Sequence, residues 1–431
     1  MDYQQQYQKK KGSLEGALSL VRSNDTILAA MYGCEPVHFL QNLHTVADRV
    51  EHVTLWSMMV MGHYPVKYDT SLKGKIDIIS YFYNDACRKG HDTGRYTMVP
   101  LNLHSVAETI IETKRPTIFV TAVSPMAEDG TFSASFDLQQ TQECIDAADI
   151  VIFEVNRNIP RVFGECAVSI DRVDYLYEAD SPLPIAQPEE ATEVDRRIAE
   201  NVASLINDGD CIQLGIGSMP NTVGELLMHK KDLGIHTEMI TRSMGKLIDA
   251  GVVTNARKTI NTGVTIGVFA YGDESLYRNM KENPGLQMRR ARYVNDPFVI
   301  AQNDNMVSVN AAIEIDLTGQ VSSESIGPRQ FTGTGGATDF AYGAFHSKGG
   351  RGIIALPSTA KGGTISKISP MLTPGAIVTI SRNLTDYIIT EYGIARMRNR
   401  SVRQRVENLI AVAHPDFRAE LRKEANKMML W

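Results

Sequence analysis

The stretch Cys211-Ile-Gln-Leu-Gly-Ile-Gly-Ser-Met-Pro220 reads as a short apolar strand running into two glycines, a small residue and a proline at a helix start. Glycine permits a tight turn and lets a ligand approach the backbone closely. Proline in a first helical turn costs no hydrogen bond, because a donor there has no intrahelical partner anyway. The free amides of such a turn suit an anion, or an oxyanion that develops during a reaction. Taken alone, the same pattern also describes an ordinary strand–helix turn.

An offset of 184 residues lays Ile27-Leu-Ala-Ala-Met-Tyr-Gly-Cys-Glu-Pro36 on this stretch, with Gly33 on Gly217 and Pro36 on Pro220. The same offset carries Val53-Thr-Leu-Trp56 onto Thr237-Glu-Met-Ile240 and pairs Thr54 with Glu238. Further on, Asp129-Gly-Thr-Phe-Ser133 resembles Thr318-Gly-Gln-Val-Ser322. Chance likeness between two strand–glycine–helix units is one reading, and a duplicated fold is the other. Elsewhere β-rich runs such as Thr117-Ile-Phe-Val-Thr121, Ile150-Val-Ile-Phe-Glu154 and Gly352-Ile-Ile-Ala-Leu356 alternate with segments of helical apolar spacing. That alternation predicts an α/β fold of open, mostly parallel sheets. Duplication predicts two similar domains with a cleft between their strand ends, where ligands of open α/β sheets bind. Only the second copy would carry an ionisable group at the Thr54/Glu238 position.

The segment Ala179-Asp-Ser-Pro-Leu-Pro-Ile-Ala-Gln-Pro188 holds three prolines in ten residues, which predicts an extended linker. The expected domains are therefore 1–183 and 184–431.

Bulk properties exclude several classes. The 431 residues carry a net charge of −6, which gives no general attraction to nucleic acid or anionic membrane. No apolar run approaches the ~20 residues of a membrane span, and the first residues lack the apolar core of a secretory signal. Cys34, Cys87, Cys144, Cys166 and Cys211 are scattered, which argues against a disulfide framework or zinc site and for a reducing, cytoplasmic setting. Lys9-Lys10-Lys11 reads as a solvated helix face, with a phosphate-holding role as the alternative.

Three further segments carry candidate chemistry. His236-Thr-Glu-Met-Ile240 begins 18 residues beyond Ser218, and a strand there would end near Glu238 on the edge of the glycine turn. By itself Glu238 reads as a surface glutamate. A carboxylate becomes an acyl nucleophile only in a dry pocket with amide donors nearby. The run from Asn310 to Gly363 is dense in glycine, and Gly333, Gly335 and Gly336 imply a backbone pressed against something. Lys361, in Leu356-Pro-Ser-Thr-Ala-Lys-Gly-Gly363, suits a phosphate. Glu314, Asp316 and Glu324 read as hairpin and turn carboxylates. The arginine-rich stretch Arg398–Arg405 reads as a solvated or interface face, with nucleotide contact as the alternative.

Together, Gly215-Ile-Gly-Ser-Met-Pro220, His236-Thr-Glu-Met-Ile240, Ile313-Glu-Ile-Asp-Leu-Thr-Gly-Gln-Val321, Gly333-Thr-Gly-Gly-Ala-Thr-Asp-Phe340, Ser381-Arg-Asn383 and Thr390-Glu-Tyr-Gly393 resemble the acetyl-CoA hydrolase/transferase family of class I CoA-transferases. The likeness spans nearly the whole chain and is strongest to its 4-hydroxybutyrate and butyryl-CoA:acetate CoA-transferase branch. It implies two NagB/Rossmann-like domains and a glutamyl-CoA thioester formed on Glu238. It also implies CoA contacts at Gly215, Ile216, Gly217, Ser218, Met219, Gly336 and Lys361, and a substrate pocket near Met31, Gly33 and Met61. The implied partners are acyl-CoA and a small carboxylic acid, in a dimer or tetramer. Coenzyme A is then a substrate, with no permanently bound cofactor or metal.

The chain departs from the family at Thr241-Arg-Ser-Met-Gly-Lys-Leu247, where an acidic, glycine-rich stretch is usual, and at Ala337 and Thr338, where a glutamine is common. The methionines Met31 and Met58-Met-Val-Met61 are also bulky for the family. A subgroup acting on dicarboxylates such as itaconate, with succinyl-CoA as donor, fits these departures. Acyl-CoA hydrolysis is the alternative reaction, and a non-catalytic CoA-binding module is the alternative of another class.

Overall fold

The computed structural model describes residues 2–59, 61–187 and 190–430. Val60, Pro188 of the linker and the adjoining Glu189 lie outside the described residues. Two compact units emerge. The first takes Met1–Ala186 together with Ile266–Tyr293, and the second takes Gln187–Thr265 with Val294–Trp431. Sequence reading had assigned 266–293 to the second domain, because a returning segment leaves no local mark. Residues 180–187 form neither helix nor strand.

The first unit is built on seven parallel strands: β1 (Thr26–Ala29), β2 (Val53–Trp56), β3 (Ile76–Ser80), β4 (Tyr96–Met98), β5 (Ile118–Val123), β6 (Ile150–Asn156) and β7 (Tyr175–Ala179). Their order is β7-β6-β5-β1-β2-β3-β4, and every pair is parallel. β5 is buried at all six positions, as a central parallel strand covered on both faces must be. Ile27, Phe39, Leu40, Leu43, Val53, Ile118 and Val120 join one apolar core. Each such fully buried side chain contributes roughly 1.5–3 kcal/mol.

The second unit repeats the plan with β8 (Cys211–Leu214), β9 (Gly234–Ile235), β10 (Met306–Ala311), β11 (Arg351–Ala355), β12 (Tyr387–Thr390) and β13 (Gly393–Arg396). The order is β9-β8-β10-β11-β12-β13, parallel except for the final hairpin. Helix α1 (Glu193–Ala203) starts in a capping box between Thr192 and Asp195 and buries Ile198, Ala199 and Val202.

Both sheets are doubly wound, and the strand order reverses beside β1 in one and beside β8 in the other. The residues after these two strands therefore occupy the topological switch points, where open sheets bind ligands. The repeat extends to the Asp-x-Thr turns: Asp129 accepts from the Thr131 amide at 3.0 Å, and Asp316 from the Thr318 amide at 2.9 Å. Gly130 and Gly319 both take positive φ there, 75° and 98°.

The two switch points differ. After β8 the chain turns through Gly217 at φ 111°, a conformation that suits only glycine, with open space where a side chain would stand. After β1 the turn is sealed. Tyr32 adopts φ 52° and stacks on Phe269 with ring centroids 4.9 Å apart, while Gly33 lies against the Phe136 ring.

Strand register corrects one sequence inference. Ile27 is level with Leu55 in the first sheet, and Cys211 with Gly234 in the second. With Ile27 matched to Cys211, Met59 and not Thr54 corresponds to Glu238. A constant offset fails because the two helical connections before β2 and β9 differ in length. No described helix is long and apolar enough to cross a membrane.

Candidate active site

Glu238 follows the short strand β9 at a bend, just before the strand Met239–Thr241. Its neighbours are fixed. His236 and Thr237 are wholly buried, His236 Nε2 lies 2.8 Å from the Val294 carbonyl oxygen, and Thr237 Oγ1 donates to the Met239 carbonyl at 3.0 Å. Met239 and Ile240 are packed inside. With both flanks anchored, the Glu238 side chain is left partly accessible.

Two donors meet its carboxylate. Asn295 Nδ2 lies 3.0 Å from Oε2, and the backbone N–H of Gly336 also donates to the carboxylate. Gly336 caps helix α3 (Ala337–His346), so its amide belongs to a helix start. The approach is so close that a methyl group at residue 336 would overlap Glu238 Oε2 and Asn295 Nδ2. Glycine here serves space, since its φ is an ordinary −93°.

Burial pushes the Glu238 carboxyl up from an ordinary 4.5 to about 7. That value is the net outcome: the Asp339 charge adds to the rise from burial, and the Asn295 and Gly336 donors oppose it. A carboxylate largely screened from water and carrying two donors near neutral pH can act as a nucleophile toward an acyl carbon.

The glycine loop is braced from beneath. Glu324, itself buried, accepts from Thr379 Oγ1 at 2.9 Å and Thr334 Oγ1 at 3.3 Å. Its carbonyl takes the amides of Phe331 and Thr332. Glu314 holds the Thr373 amide and hydroxyl, and Asp316 organises the turn to Gln320. All three carboxylates thus do hairpin and turn work.

Gly215, Ile216, Gly217, Ser218 and Met219 form the open turn after β8 and the start of helix α2 (Ser218–Leu226). The Gly215 amide pairs with the Val309 carbonyl at 2.9 Å, Ile216 is half exposed, and Ser218 Oγ donates to Asp195 at 3.2 Å. Lys361 is the exposed first residue of a hairpin tip with Gly362 and Gly363. It makes no hydrogen bond or ion pair with the Glu238 cluster among the described residues.

In the first unit, Met31 is buried, its amide donating to Asp137 Oδ2 and its sulfur accepting from Gln139 Nε2, both at 3.0 Å. Gly33 is buried, and Met61 is exposed with its amide held by the buried carboxylate of Glu35. The Lys9–Lys11 run is tied down: Lys10 donates to the Ile170 carbonyl at 2.8 Å and Lys11 pairs with Glu178 at 2.8 Å. In the arginine-rich stretch, Arg398 lies over the Phe345 ring and Arg405 donates to the Thr318 carbonyl. The unusual segment after Glu238 forms the helix Arg242–Asp249, with Met244 and Leu247 buried and Lys246 paired with Glu225 at 3.1 Å.

Asn295 and Asp339 escaped the sequence reading. Asp339 lies within the glycine-rich segment Gly333–Phe340, where no role was expected for it. Asn295 stands 57 positions from Glu238, and nothing local marks it.

Residues 1–187 match the profile of the acetyl-CoA hydrolase/transferase N-terminal domain, and residues 272–425 match that of the C-terminal domain. A succinyl-CoA:cyclohexane-1-carboxylate CoA transferase of Geobacter metallireducens is 40% identical over 426 residues, 99% of this chain and 97% of that protein. A 4-hydroxybutyrate coenzyme A transferase of Clostridium kluyveri is 37% identical across 99% of this chain and 100% of its own length. The crystal structure of RipA from Yersinia pestis superposes with a TM-score of 0.94 at 36% identity, covering 100% of both chains.

Proposed function

The chain belongs to the acetyl-CoA hydrolase/transferase family and is an acyl-CoA:carboxylate CoA-transferase; from that premise we propose that Glu238 is its nucleophile. The observation that carries this reading is the meeting of Asn295 Nδ2 and the Gly336 amide on one water-poor carboxylate.

An oxygen of Glu238 attacks the thioester carbonyl of acyl-CoA. The C–S bond breaks, and CoA leaves as thiolate with its electron pair, giving an acyl-glutamyl anhydride. The thiolate then attacks the glutamyl carbonyl and expels the donor acid as a carboxylate, leaving glutamyl-CoA. The acceptor acid runs the same steps in reverse. The thiolate's attack on the anhydride puts an oxyanion on the glutamyl carbonyl, where the two donors already point. Binding energy from the remote part of CoA lowers the barrier at the thioester.

The turn Gly215–Met219 and Lys361 serve the CoA moiety in this proposal. Their openness and the charge of Lys361 support it. The acceptor is a small carboxylic acid of the class named for the relatives, with succinyl-CoA among the donors. Itaconate, butyrate, acetate and 4-hydroxybutyrate are the acids to assay. A homo-oligomer and a cytoplasmic setting complete the reading and rest on the family resemblance. Initial rates with both substrates varied test it: parallel double-reciprocal lines support the covalent route, and intersecting lines refute it.

A further inference from the structure

Asn295 is wholly buried, and its amide faces two carboxylates. Nδ2 stands 3.0 Å from Glu238 Oε2 and 3.5 Å from Asp339 Oδ2. An amide nitrogen carries two hydrogens, one for each. Asp339 is itself buried, on the first turn of α3, where the helix dipole favours negative charge.

We propose that Asp339 is a positioning residue that, across the Asn295 amide, biases Glu238 toward its acylated forms. This rests on the nucleophile reading above. Free Glu238 is an anion held beside a second buried anion. In the overall half-reaction the carboxylate and acyl-CoA become glutamyl-CoA and a released acid anion. The negative charge leaves the enzyme with that acid, so the repulsion from Asp339 is relieved as the thioester forms. Like charges at this range, in a poorly solvated site, are worth about tenfold or more in such an equilibrium. Asn295 meanwhile keeps the Glu238 oxygen aimed, so the repulsion raises reactivity without displacing the side chain.

The groups around Glu238 are few. Asp339 and the Gly336 amide come from α3, Asn295 from the loop after residue 294, and the His236 ring is turned to the Val294 carbonyl. Among the described residues, Asp339 is a charge that acts on Glu238, and it raises the carboxyl.

The test is Asp339→Asn, compared with wild type at a fixed ratio of acyl-CoA to free acid. Intact-protein mass spectrometry reads the fraction carrying CoA. The expected result is a fall of about tenfold in the ratio of glutamyl-CoA enzyme to free enzyme, with the midpoint of the pH–rate curve moved to lower pH. An unchanged ratio and an unchanged midpoint overturn the proposal. If Asp339→Asn does not fold, Asp339→Ser carries the same comparison. Absence of the thioester in wild type would refute the nucleophile reading instead, so the two failures are distinguishable.

Discussion

The backbone amide of Gly336 donates to the Glu238 carboxylate, at a distance that leaves no room for a Cβ at residue 336. A glycine and a glutamate far apart in sequence thus define one small space, and the proposed chemistry depends on its dimensions.

Gly336→Ala should therefore lose activity while keeping the fold. The added methyl displaces the Glu238 carboxylate or the Asn295 amide, and α3 gains a residue with no backbone penalty. A fall in kcat of about a hundredfold or more is expected, with circular dichroism unchanged. Near wild-type kcat would show that this close approach is not needed.

The raised carboxyl predicts a pH dependence. With its midpoint pushed up to about 7, Glu238 is protonated and inert at low pH. kcat/KM for acyl-CoA should fall about tenfold per pH unit below that midpoint and level off above it. A profile flat from pH 5.5 to 8 would contradict the assignment.

The same burial costs stability. The folded-state value lies above the unfolded 4.5, so stability is greatest below about 4.5 and is lost as pH rises through 7. Glu238→Gln, uncharged throughout, should be more stable than wild type at pH 8 by up to about 3 kcal/mol. The gain should fade as pH falls toward 4.5. Urea titrations at both pH values check the sign.

Gly217→Ala probes the open turn. Its φ of 111° strains any side-chain residue although the space beyond is empty. Strain of about 1–3 kcal/mol is expected. It should appear mainly as a raised KM for acyl-CoA, because the turn is assigned to CoA and not to the reacting carbon. A change confined to kcat would remove that assignment.

The sheets were legible in the sequence because strand, glycine and helix follow one another within a dozen residues, as at Cys211–Pro220. Glu238 became a candidate through the repeat, although strand register now matches it to Met59 instead of Thr54. The family motifs then implied the role proposed for it. Gly336 was legible as a crowded glycine, and the structure supplies the crowding atom. Asn295 and Asp339 were not legible. Their part depends on three segments meeting in space, and neither residue type is unusual where it stands. The return of Ile266–Tyr293 to the first unit was hidden for the same reason.

The most direct test incubates the enzyme with acyl-CoA, reduces the resulting thioester with borohydride, and maps the altered peptide by mass spectrometry. Modification at Glu238, absent in Glu238→Gln, is the predicted result. Modification at Glu314 or Glu324, or full turnover by Glu238→Ala, would contradict the account.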